Sequence, residues 1–153
     1  MTTLISPRDR RAGLAAPLAA GAAGAAVFAV SLTSGAIFDL NRDPQSSSGT
    51  SVGELAVYAG LVVSAVVVAC TLAAWAYAGA ARRVAGTALG LAIASVVTVV
   101  GFWSGWPQVL AAVSLVLAGE HHRRTSGWRP TTVAAVVLGS VGVVAATLLC
   151  VLG

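Results

Sequence analysis

Hydrophobic residues are gathered into four long tracts that contain no Asp, Glu, Lys, Arg or His: 14–38, 55–81, 84–119 and 131–153. An α-helix rises about 1.5 Å per residue, so roughly 20 residues are needed to cross about 30 Å of hydrocarbon. Each tract is long enough for this. The pattern therefore predicts an all-α fold, a polytopic bundle of transmembrane helices.

The third tract is interrupted by the stretch GFWSGWPQ (101–108), in which Ser, two glycines and Pro break the apolar run. Pro107 suits the first turn of a new helix, so we expect a tight hairpin between helices three and four. Five spans are predicted, at 14–38, 54–80, 84–103, 106–121 and 130–152. The fourth covers only about 24 Å at the usual helical rise, so a re-entrant hairpin is the alternative to a full crossing.

The arginines predict the orientation of these spans, because cytoplasmic loops of membrane proteins hold an excess of positive residues. A cytoplasmic N-terminus and an outer C-terminus place all the arginines except Arg42 inside. A short arm, 1–13, then precedes one transmembrane domain, 14–153, with an outer loop at 39–53. The arginines expected to set the topology and to contact lipid headgroups are Arg10, Arg11, Arg82, Arg83, Arg123, Arg124 and Arg129.

Composition supports the membrane assignment, since 58% of the 153 residues are hydrophobic and 9% are charged. Soluble domains carry about 25% charged residues. The basic residues are all arginine, and Ala, Gly and Val dominate the apolar positions, which indicates a GC-rich bacterial genome and the inner membrane. A net charge of +4 could indicate nucleic acid. Positive charge between apolar spans is an orientation signal instead, so the expected partner is the lipid bilayer.

Four tryptophans lie near the predicted ends of spans, where amphipathic rings sit at the level of the lipid headgroups. We interpret them as interfacial anchors: Trp75, Trp103, Trp106 and Trp128.

Gly86, Gly90 and Ala94 recur at four-residue spacing in the third predicted helix. Small residues at this spacing allow two helix backbones to approach closely. The stripe predicts a packing face, either inside the bundle or between two copies of the chain.

The stretch GEHHRR (119–124) groups residues that are typical of metal or acid/base sites. His121 and His122 are adjacent, so on a helix they point about 100° apart and do not converge as an i, i+4 pair does. We interpret the stretch as an interfacial cap on helix four and predict no metal or cofactor. Cys70 and Cys150 fall at different depths in the predicted spans, so we expect two separate thiols.

Ionisable side chains inside a membrane are costly and usually functional, and the four apolar tracts hold no Asp, Glu, Lys, Arg or His. The polar residues expected inside are Ser, Thr, Tyr and Cys. This pattern favours a non-enzymatic structural or accessory subunit that packs against itself or a membrane partner. The alternatives are an oligomeric channel for a small neutral solute, lined by hydroxyl groups, and a lipid enzyme that uses Glu120, His121 and His122.

The C-terminal half reads LGLAIASVVTVVGFWSGWPQVLAAVSLVLAGEHHRR (89–124), followed by RPTTVAAVVLGSVGVVAA (129–146). It resembles small multi-span membrane proteins of unknown function from actinobacteria. In these, an apolar helix, an aromatic turn rich in Gly and Pro, a short apolar helix, a basic connector and a final helix follow in order. The resemblance implies a membrane location and a helical architecture, and it implies no mechanism.

Overall fold

A computed structural model describes residues 7–38 and 52–152 of the chain, so most of the predicted outer loop 39–53 lies outside the described residues. The prediction of an all-α fold with five helices is confirmed. A short 3₁₀ segment, Thr98–Ser104, follows the third helix. The α-helices are α1 (Pro7–Phe38), α2 (Val52–Tyr77), α3 (Ala81–Val97), α4 (Trp106–Thr125) and α5 (Pro130–Leu152).

Basic residues extend the helices beyond the apolar tracts. Helix α1 begins at Pro7 rather than at residue 14, and α4 continues to Thr125 rather than ending at residue 121. Arginine is a good helix former, and positive charge suits the last turn of a helix. Ser126 ends α4 with a left-handed φ of 52°, and its N–H donates to the carbonyl of His122 at 2.8 Å. With 20 residues, α4 is about 30 Å long.

The hairpin between α3 and α4 is built by the 3₁₀ segment and Gly105, which has a left-handed φ of 73°. A Cβ at Gly105 would lie 2.8 Å from Val62 and 2.9 Å from Phe28, so both the backbone conformation and the space require glycine. The Ser104 hydroxyl accepts a hydrogen bond from the Trp106 N–H at 3.3 Å and donates to the Gly101 carbonyl at 2.7 Å. These bonds satisfy backbone groups where the chain reverses.

Helix α4 is the centre of the bundle and packs against all four other α-helices. The first turns of α4 are buried on nearly every side. The sequence did not reveal this, because an apolar helix can be buried in protein or exposed to lipid. The surrounding core is built largely from small side chains, which allow close helix packing. Its alanines include Ala65, Ala69, Ala73, Ala76, Ala88, Ala92, Ala118 and Ala135.

The backbones of α1 and α4 approach each other closely at Gly24. A Cβ at Gly24 would lie 2.8 Å from the carbonyl oxygen of Gln108 and 2.9 Å from the Cα of Val109. On α5, Gly139 packs against Leu115, and Gly142 packs against Ser95. The glycines that bring helices together inside the bundle are therefore on α1 and α5.

Three helical segments of the described chain are long and apolar enough to cross a membrane: Ala56–Tyr77, Ala81–Ser104 and Pro130–Leu152. The second of these includes α3 and the 3₁₀ segment. A shorter apolar segment, Ala15–Ser31, lies in α1. This architecture is that of a helical membrane protein.

Candidate functional site

One end of the bundle collects most of the charged residues that the structure describes. It is formed by the α2–α3 connector (78–80) with the first turn of α3, and by the last turns of α4 with the connector to α5 (126–129) and the first turn of α5. We call it the basic end. Arg124 joins two of these parts, because its Nε donates to Glu120 at 2.9 Å and its guanidinium also donates to the Gly79 carbonyl at 3.4 Å. The same guanidinium lies 5.3 Å from the centre of the Tyr77 ring. Arg124 thus ties α4 to the end of α2.

The structure places the His121 side chain inside the bundle and not on its surface. Its side chain is buried, with 1% exposure, and its Nδ1 lies 2.8 Å from the hydroxyl of the equally buried Thr132. The physical reason is helical spacing, which places His121 on the same face of α4 as the buried Leu117 and Ala118. Helix α5 begins against that face and covers the imidazole.

His122 has a different partner, as expected for adjacent helix positions. Its ring stacks on Trp128 with a centroid distance of 4.4 Å and an interplanar angle of 21°. Glu120 pairs with Arg124 and, at 3.5 Å, with Arg123. Within the described residues, no group of three or more His, Cys, Asp or Glu residues is placed to hold a metal ion. The GEHHRR residues therefore contact three different parts of the protein instead of converging on one point.

A second aromatic–arginine pair lies beside the α2–α3 connector. The Arg83 guanidinium carbon is 4.6 Å from the centre of the Trp75 ring, within the range of a cation–π interaction. The Arg83 side chain crosses Gly79, where a Cβ would meet three of its atoms at 2.6–2.8 Å. Gly79 therefore leaves the space through which Arg83 reaches Trp75.

The remaining predicted topology and anchor residues are distributed as follows. Arg82, Arg123 and Arg129 are exposed at the basic end, and the side chains of Arg10 and Arg11 lie outside the described part of the chain. Trp75, Trp103 and Trp128 are about half exposed, whereas Trp106 is partly buried against the core.

Sequence reasoning assigned Gln108 to the turn and missed it as a buried polar residue. It is fully buried, and its Nε2 donates to the Cys150 sulfur at 3.5 Å. The Cys150 thiol in turn donates to the Phe102 carbonyl at 3.5 Å, while the Gln108 Oε1 has no partner among the described residues. The available signal was a glutamine inside an apolar tract. Cys70 and Cys150 are both free thiols, as expected.

A buried serine connects the middle of α4 to α3. The Ser114 hydroxyl donates to the Ala88 carbonyl at 2.9 Å, and both residues are buried. The polar residues of α4 thus contact α3 through Ser114 and α5 through Gln108 and His121. These interhelical hydrogen bonds stabilise the position of the central helix.

Two of the three residues of the predicted small-residue stripe face outward, while Ala94 packs against the core. Gly86 and Gly90 are exposed, and a Cβ at either position would meet no atom within 4 Å. Ala94 is half-buried. Gly86 and Gly90 therefore lie on the outward face of α3, where no other helix of the described chain is close to them.

Comparison of the chain with models of known protein families, with curated proteins and with solved structures finds no significant match.

Proposed function

We propose that this protein is a non-enzymatic, multi-pass protein of the bacterial inner membrane that acts as a structural or accessory subunit by packing against itself. Its five helices cross the bilayer with the N-terminus in the cytoplasm and the C-terminus outside. The observation that carries this proposal is the outward face of α3, where Gly86 and Gly90 leave open space for a second backbone. Small residues at four-residue spacing are typical of helix contacts within membranes.

Helix α4 can make the fourth crossing where the bilayer thins locally. It is about 30 Å long, but the apolar part before Glu120 covers only about 21 Å. Five crossings also place the basic end, with its exposed arginines, on the cytoplasmic side. Trp75 and Trp128 then lie at the inner interface, and Trp103 lies at the outer one.

The contacts of Glu120 and His121 support a non-enzymatic role. Glu120 is held by two arginines, and His121 is buried against Thr132. A general acid or base must lie within reach of the proton that it transfers. A substrate at the surface does not reach the buried His121 ring.

The orientation is tested by fusing alkaline phosphatase, which is active only outside the cytoplasm, after residue 153 and after Gly127. We expect activity from the first fusion and none from the second, because they lie at opposite ends of α5. An inactive fusion after residue 153, with the protein present at normal levels, contradicts the five-span topology.

Self-association is tested with Gly90→Leu, which fills the open space on α3. In mild detergent we expect the wild-type chain to be a dimer by light scattering and the variant to be a monomer. Gly119→Leu is the matched control, because a Cβ at Gly119 also meets no atom within 4 Å. Gly119 is not part of a small-residue stripe, since the residues four positions before and after it are Leu115 and Arg123. A monomeric wild-type chain, or equal dimerisation of all three, contradicts the proposed contact.

A channel for a small neutral solute is the second candidate. It is favoured by two buried oxygens that have no hydrogen-bond partner among the described residues, Oε1 of Gln108 and Oγ1 of Thr147. Buried polar atoms normally have partners, and a polar solute would supply them. Glycerol flux into liposomes that carry the protein should then exceed flux into empty liposomes. Equal flux dismisses the channel.

A further inference from the structure

The arginines of the basic end fall into two groups according to their charge partners. Arg123 and Arg124 share Glu120, so their positive charge is partly neutralised. Among the described side chains, no carboxylate pairs with Arg82, Arg83 or Arg129, and all three are exposed. Arg82 and Arg83 are adjacent, so two of these unpaired positive charges lie together in the first turn of α3.

The cation–π contact orients Arg83 for anion binding. The guanidinium lies over the Trp75 ring, and the exposed side chain keeps N–H groups available to an anion. The planar fork of a guanidinium matches the oxygens of a phosphate. Because Gly79 lets the side chain pass, Arg83 is held at the edge of α2 instead of extending freely into water.

An exposed apolar strip leads away from this pair along α2. Val68, Leu72 and Trp75 are each exposed by more than a third, and their spacing of four and three residues places them on one helix face. The surface thus combines a pair of exposed arginines with an apolar strip about two helical turns long. This combination fits an amphiphile better than a free anion.

We propose that the surface formed by the end of α2, the α2–α3 connector and the first turn of α3 binds one anionic phospholipid. Arg82 and Arg83 hold its phosphate, and an acyl chain lies along Val68 and Leu72. The site rests on the proposed membrane location, and it adds that headgroup binding is localised at Arg82 and Arg83 instead of being spread over the whole basic end.

The test is a titration of the purified full chain in mild detergent with phosphatidylglycerol, with the bound lipid counted by native mass spectrometry. Each arginine near an anionic membrane surface contributes roughly 5-fold in affinity, so Arg82→Gln combined with Arg83→Gln should weaken binding by about 30-fold. The matched control, Arg123→Gln with Arg129→Gln, removes the same charge from the same end. We expect it to weaken binding by less than about 3-fold, because among the described residues no hydrogen bond or ion pair links either arginine to the α2–α3 connector.

Gly79→Ala provides an independent variant, since it keeps every charge but displaces Arg83 from Trp75. It should weaken phosphatidylglycerol binding by about 5-fold, the contribution of one arginine. Equal loss in both double variants would overturn the proposal, because binding would then follow total charge. Equal binding of phosphatidylcholine, or competition by inorganic phosphate at equal concentration, would also overturn it.

The outcome is separable from that of the proposed function. Lipid binding in detergent depends on neither the orientation nor self-association. A phosphatase result that contradicts the proposed topology would not affect the proposed lipid site. Equal lipid binding by all variants would exclude the lipid site and would not affect the proposed topology.

Discussion

Replacing Thr132 with valine tests whether the buried hydrogen bond to His121 stabilises the contact between α4 and α5. Valine keeps the shape of the side chain and removes the hydroxyl that lies 2.8 Å from Nδ1. Both residues are buried, with 1% exposure or less, so the ring nitrogen would lose its partner without access to water. A buried polar group left without a partner costs about 1 to 3 kcal/mol.

A second, smaller magnitude has to be weighed against this cost. Interhelical hydrogen bonds in membrane proteins contribute about 0.6 kcal/mol on average, because the unfolded chain in the membrane also finds partners. The larger value should apply here, since the His121 ring is enclosed by α4 and α5 and cannot turn toward solvent. We therefore expect Thr132→Val to lower the free energy of unfolding by about 1 to 2 kcal/mol.

The assay is reversible unfolding in mixed detergent micelles, followed by tryptophan fluorescence. Thr131→Val is the matched control, because Thr131 is the exposed neighbour and its substitution should change stability by less than about 0.5 kcal/mol. In a His121→Leu background, the effect of Thr132→Val should also become small, since no ring nitrogen is left without a partner. Equal stability of the two threonine variants would refute the reasoning.

Further predictions concern backbone packing and the basic end. Gly24→Ala should lower the free energy of unfolding by about 1 to 3 kcal/mol, because the new Cβ meets the α4 backbone at 2.8 Å. Gly60→Ala, at an exposed position where a Cβ meets no atom within 4 Å, should instead raise the free energy of unfolding by about 0.5 kcal/mol. If both substitutions change the free energy of unfolding in the same direction, the close α1–α4 contact is contradicted. Arg124→Gln should lower the thermal midpoint more than Arg123→Gln does, because Arg124 binds both Glu120 and the Gly79 carbonyl. Indistinguishable midpoints would show that the link between α4 and α2 contributes nothing.

The predicted elements follow directly from the sequence because their signals are local. Apolar tracts longer than a bilayer crossing predict helices, and the Gly and Pro residues of 101–108 predict the break between α3 and α4. The ends of the helices were less predictable. Arginines end an apolar tract but do not end a helix, so α4 continues through them to Thr125.

Candidate site residues were predictable by type and position but not by environment. The arginines of the basic end were all apparent in the sequence, and so was the different orientation of His121 and His122. The burial of His121 was not, because it depends on where α5 begins to pack against α4. Gly79 gave no signal either, since its role is to leave space for a side chain four residues away.

The sequence by itself determined that the chain forms helices suited to a membrane, because hydrophobicity and helix length are properties of each segment. Only the tertiary structure decided which faces of those helices are covered. In a chain this apolar, lipid-facing and core-facing positions have the same composition, so no periodicity distinguishes them. For this reason the sequence did not reveal which glycines pack. Gly24, Gly139 and Gly142 bring helices together inside the bundle, whereas Gly86 and Gly90, which have the regular four-residue spacing, face outward.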